Sequence, residues 1–127
     1  MENKAEELSN RLFQYSLMVI EVCKDLNYNY ISRHIGNQLL RSATSSGANY
    51  EEARGSETKN DFIYKLHLVF KELRESLYWL KLVHNSKLLN RTIEKEITES
   101  EELIKIIGKS LLTAKINVNN KIERKVR

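Results

Sequence analysis

Few residues in this chain of 127 have the type and spacing that chemistry needs. A helical bundle can house a di-iron centre, built from inward glutamates and a Glu-x-x-His pair on facing helices. Three residues before His34, His67 and His84 stand Ile31, Tyr64 and Lys81, so that signature is absent, and no two histidines stand four apart as a helical metal pair would. Cys23 is the single cysteine, which excludes an internal disulfide and a thiolate cluster for zinc. One turn after Val19, it reads as a core thiol rather than a nucleophile. There is no glycine loop to cradle a phosphate. The expectation is a protein that is not an enzyme, with no cofactor, metal or small-molecule substrate.

Charged and polar side chains are more informative. Arg41, Ser45, Asn49 and Glu52 are spaced by four, four and three, which sets them down one face of a helix. If the segments on either side of Gly55-Ser56-Glu57 pair as antiparallel helices, residues i and j lie level when i + j is about 113. Arg41 then falls level with Glu72, Asn49 with Lys65, and Glu52 with Asp61 or Lys65. Together with Glu75 these residues predict a half-buried, hydrogen-bonded strip between two helices, which fixes register or lines a ligand site.

The net charge of +4 is a property of the chain's end. From Lys115 onward, Lys115, Lys121, Arg124, Lys125 and Arg127 face one acid, Glu123, and the body before them is neutral. Such a tail is an electrostatic contact for RNA or DNA, or simply a solvated end.

The elements that must position these groups are helices. With no proline and four glycines, the composition favours an all-α protein with short connections. Leu8, Leu12, Tyr15, Val19, Val22 and Leu26 recur at steps of four and three. A second stripe carries Ile31, Ile35, Leu39, Ser42, Ser46, Tyr50 and Ala53, a third Phe62, Leu66, Val69, Leu73, Leu77 and Leu80, and a fourth Ile93 through Val118, interrupted at Ser100. One domain over residues 1–127 is predicted, an up-and-down antiparallel four-helix bundle with helices at about 4–26, 31–54, 58–84 and 92–118. A frayed basic tail covers 119–127. Thr58 and Asp61 read as the capped start of the third helix, and Gly55 as a left-handed helix end. The opening MENKAEEL is charged, and no apolar run approaches the roughly 18 residues of a membrane span, so a cytoplasmic protein is expected.

Two surfaces stand out within this frame. No large side chain occurs from Ser42 to Ala48, and the register sets this stretch against Leu66, Leu68, Val69 and Phe70, with Phe70 expected to fill the space beside Ser46 and Gly47. On the third helix Tyr64, Leu68, Tyr78, Trp79 and Leu82 cluster away from the core stripe. That face contacts another copy or a partner protein, or is covered by the second helix.

The run QLLRSATSSGANYEEARGSETKNDFIYKLHLVFKELRESLYWLKLV, Gln38 to Val83, resembles the small four-helix-bundle proteins encoded in intervening sequences of bacterial large-subunit ribosomal RNA genes. The resemblance lies in Gln38-Leu39-Leu40-Arg41-Ser42, Thr44-Ser45, Gly47-Ala48-Asn49, Glu52, Asp61-Phe62-Ile63, Lys65, Lys71-Glu72, Glu75 and Tyr78-Trp79-Leu80. It covers the second and third helices. It implies a bundle that assembles into a ring of five copies. The family is similar in turn to the accessory variability determinant protein of diversity-generating retroelements, a basic pentameric barrel that binds a reverse transcriptase and nucleic acid. The implied partners are further copies of the chain and nucleic acid, or a neighbouring gene product such as a reverse transcriptase.

Overall fold

In a computed structural model of the chain, residues 3–126 are described. Four helices follow in order: α1 (Lys4–Asp25), α2 (Tyr30–Arg54), α3 (Lys59–Asn85) and α4 (Glu94–Val126). Local chemistry sets their starts. The side chains of Asn3, Asn29 and Thr58 accept from the backbone N–H of Glu6, Ser32 and Asp61 at 2.8, 2.9 and 3.1 Å, satisfying donors that a helix start leaves free.

The helix ends depart from expectation in two places. Gly55 caps α2 with φ −89°, so it is not left-handed, and its N–H is shared between the Glu51 and Glu52 carbonyls. The left-handed residue is Lys87, at φ 58°, after α3. There Leu88 N–H donates to Val83 O and Lys87 N–H to His84 O, the paired bonds of a Schellman turn.

Each helix packs on its two neighbours, α1 on α2 and α4, and α3 on α2 and α4; the α2–α3 seam is the most extensive and α1–α4 the least. This is the all-α antiparallel bundle. Leu12, Tyr15, Leu39, Leu66, Leu73 and Ile107 are fully buried at its centre. Small residues let the helices approach. Gly47 faces α1, near Leu12 and Ser16, while Phe70 packs against Gly108 of α4. Phe70 therefore does not fill the space beside Ser46 and Gly47. Ser46 is buried with its hydroxyl on Ala43 O, and Gly47, 100° further round the helix, already looks toward the other neighbour.

The α2 stripe is also rotated at its start: Ile31 is exposed, while Ser32 and Gly36 are buried. Among the described residues no helix is long and apolar enough to cross a membrane.

Candidate nucleic-acid interface

α4 does not fray at Val118 but continues helical to Val126. No glycine or proline follows Val118 to stop it. Its last buried residue is Leu111; from there every residue is exposed except the half-buried Ala114 and Val118. These 15 residues cover about 22 Å at 1.5 Å per residue. Lys115, Lys121, Arg124 and Lys125 are all exposed on this segment, and Arg127 lies outside the described residues. Lys121 and Lys125, four apart, share a face with Val118 and Ile122, and with Thr58, Lys59 and Asn60 of α3 they line a cavity of about 310 Å³.

Beside it lies a larger groove of about 900 Å³, walled by the start of α1, the α2–α3 turn and α4. Lys4, Arg54, Lys59 and Lys109 stand around it, with Glu57 as the one carboxylate among the described residues that line it. Among the described residues Lys4, Lys59, Lys109, Lys121 and Lys125 form no ion pair, and Arg54 reaches only Glu51 of its own helix, at 3.8 Å. These cations come from three separate stretches of sequence. Reading the tail alone found Lys121 and Lys125; nothing local in the sequence places Lys4, Lys59 and Lys109 beside them.

The polar strip forms in part. Arg41 bonds Glu72 at 3.2 Å and also Glu75, and Lys65 bonds Glu52 at 3.0 Å. Trp79 Nε1 donates to Glu75 at 2.9 Å. Burial pushes the Glu75 carboxyl up, but the Trp79 and Arg41 hydrogen bonds outweigh it and hold the group below its ordinary range. Asn49 leaves the strip: its amide donates back to Ser45 O at 2.9 Å rather than meeting Lys65, a local bond that competes well with a longer reach across the seam. Ser45, half-buried, contributes that carbonyl. The strip ties α2 to α3 by surface ion pairs that are individually weak.

The second face of α3 is divided. Tyr64 and Tyr78 are 62% and 57% exposed. Leu68, Trp79 and Leu82 are half-buried, and Trp79 packs on the core with His34 of α2 edge-on at 6.2 Å. The tryptophan belongs to the α2–α3 seam.

Two features lay outside the sequence reading. Tyr15 of α1 reaches diagonally across the core to Ser76 of α3, with 2.6 Å between the hydroxyl oxygens. Burial raises its pKa; Ser76 and Ser100 act on the same hydroxyl in the opposite sense, although Ser100 Oγ stands outside hydrogen-bond geometry. The break in the α4 stripe at Ser100 was the one available signal. On the α1–α2 side, the exposed Phe13 and Leu17 overhang a groove of about 500 Å³ floored by Thr44, Gly47 and Ala48. Cys23 is half-buried, and desolvation lifts its thiol to about 11, far from the thiolate of a nucleophile. Among the described residues no three His, Cys, Asp or Glu side chains are grouped to hold a metal ion.

The arrangement defines a small helical bundle whose fourth helix carries a basic, solvent-exposed end. The chain belongs to the 23S rRNA-intervening sequence protein family, whose sequence model matches residues 4–109. Among solved structures it is similar to a protein of unknown function from the S23 ribosomal protein family of Bacteroides thetaiotaomicron VPI-5482. The two share 28% identity over 86% of this chain and 98% of the other, with a TM-score of 0.78. No curated protein matches the chain. The family match ends at Lys109, so Lys115, Lys121, Arg124 and Lys125 stand beyond it.

Proposed function

We propose that this protein is a non-enzymatic, self-associating nucleic-acid-binding bundle. The observation that carries the reading is the gathering of five lysines that form no ion pair among the described residues, Lys4, Lys59, Lys109, Lys121 and Lys125, around the end of the bundle where α4 is exposed. Unneutralised cations on a helical scaffold attract phosphates, and each contact releases counterions from the nucleic acid. Self-association multiplies the effect, because weak sites repeated around an assembly add through effective concentration. Phe13 and Leu17, exposed over small residues of α2, supply an apolar surface for a second copy, and the family resemblance points to a ring of five.

Anisotropy of labelled RNA and DNA in a salt titration, with light scattering on the same samples, tests the reading. Affinity is expected to fall steeply with salt and to drop on truncation after Val118, since the described residues this removes are all exposed. A mass near five times 14.9 kDa is expected for the assembly. Binding that ignores salt and survives truncation would overturn it.

The exposed Tyr64 and Tyr78 favour a second reading, an adaptor that docks a protein encoded nearby. Salt-insensitive protein binding lost in Tyr78→Ala would support it.

A further inference from the structure

The groove at the basic end has a shape as well as a charge. Its floor is apolar, with Ala53, Phe62, Ile63 and Ala114, while Lys4, Arg54, Lys59 and Lys109 stand around it. At about 900 Å³ it is at the upper end of the range for small-ligand sites. Thr58 and Lys59 line both this groove and the smaller cavity that holds Lys121 and Lys125, so the two adjoin. From Lys109 to Lys125 the cations extend about 24 Å along α4. A single anionic group would use one end of this track; a chain of regularly spaced phosphates uses all of it.

We infer that the groove seats single-stranded nucleic acid, with unstacked bases on the apolar floor and phosphates on Lys4, Lys59, Lys109, Lys121 and Lys125. The inference rests on the nucleic-acid reading and goes beyond it by naming the strand state. A duplex keeps its bases paired and stacked inside, so it meets the lysines but not the floor. A single strand meets both, and base contact with an apolar surface tolerates any sequence. Ser110 and Thr113, also on the walls, add hydroxyls for sugar and phosphate oxygens. An acidic amphipathic helix is the other occupant of matching charge. The track favours the nucleic acid because its cations run on past the apolar floor, where a helix lying in the groove would leave Lys121 and Lys125 unmatched.

The test compares a short labelled oligouridylate with a blunt RNA duplex of equal length on the full chain. Thr113 is exposed on the groove wall, so Thr113→Trp fills the floor without touching the core, and a thermal melt checks its fold. Oligouridylate affinity is expected to change about tenfold in Thr113→Trp, downward where the indole blocks the floor and upward where it stacks on a base, with duplex affinity within about twofold of the parent. Lys59 and Lys109 are also exposed, and the double variant Lys59→Gln, Lys109→Gln is expected to reduce the single-strand salt slope by about 1.4. An equal change in affinity for both, or none, in a folded Thr113→Trp overturns the groove assignment while leaving the nucleic-acid reading intact. Failure of the parent chain to bind either strand at low salt removes that reading and the inference with it. An acidic amphipathic peptide that binds where oligouridylate does not assigns the groove to a protein.

Discussion

Gly47→Ala separates two reasons for a glycine in mid-helix. A Cβ at this position meets Leu12 O and Ser16 Oγ at 3.7 Å and Leu12 Cβ at 3.8 Å, all ordinary contacts. The residue lies within α2 and has no positive φ, so alanine fits its backbone as well. Within one chain the substitution therefore keeps the packing and gains the helix preference of alanine over glycine, about 1 kcal/mol. At roughly 2.1 cal/mol/K of unfolding entropy per residue, that gain raises the melting temperature of a domain this size by about 4 °C. Gly108→Ala is the matched control. Its backbone gain is the same, but the new Cβ would stand 3.1 Å from Phe70 Cε2, so the ring must shift and the gain shrinks or reverses. Thermal melts followed by circular dichroism at two protein concentrations read both effects. A lower melting temperature for Gly47→Ala at both concentrations refutes the argument that α1 leaves room. A gain at low concentration with loss of assembly at high concentration places Gly47, which lines the Phe13 and Leu17 groove, between copies.

The buried Tyr15–Ser76 pair is expected to show a coupling of about 1 kcal/mol in a double-mutant cycle of Tyr15→Phe and Ser76→Ala, read by urea unfolding. Ser76 Oγ also bonds Leu73 O, which leaves Tyr15 as the donor, and Ser76→Ala alone should cost more than the double variant implies because it strands the phenol. Lys87→Gly removes the left-handed strain at the end of α3 and is expected to stabilise by about 1 kcal/mol in the same assay. Glu75 titrates below its ordinary 4.5, so its contribution is complete above that pH and is lost as pH falls through the lowered value. An Arg41→Met chain should lose part of this acid-side dependence, and an unchanged pH profile would count against the Arg41–Glu75 link.

Much of the fold was legible because its determinants are local. The apolar spacing in each segment sets a helical face, and the Thr58 cap and the turn at Gly55 set the α2–α3 register closely enough to bring Arg41 onto Glu72 and Lys65 onto Glu52. The site was legible only in part. Lys115, Lys121, Arg124 and Lys125 are close enough in sequence to mark a basic segment, but the asparagines and charges of residues 119–127 suggest fraying where no breaker in fact ends the helix.

Sequence by itself determined four amphipathic helices, the capped start of α3, the neutral body and the basic end, all of which follow from residue type and spacing along one element. Tertiary structure alone decided which neighbour each face meets. Gly47 turned to α1, Phe70 to Gly108, Trp79 into the α2–α3 seam, and Tyr15 to Ser76 across the diagonal. These choices depend on how four helices rotate and tilt together until large side chains meet small ones, a condition that no single helix contains. The same packing carried Lys4, Lys59 and Lys109, far apart along the chain, to the groove beside the exposed end of α4.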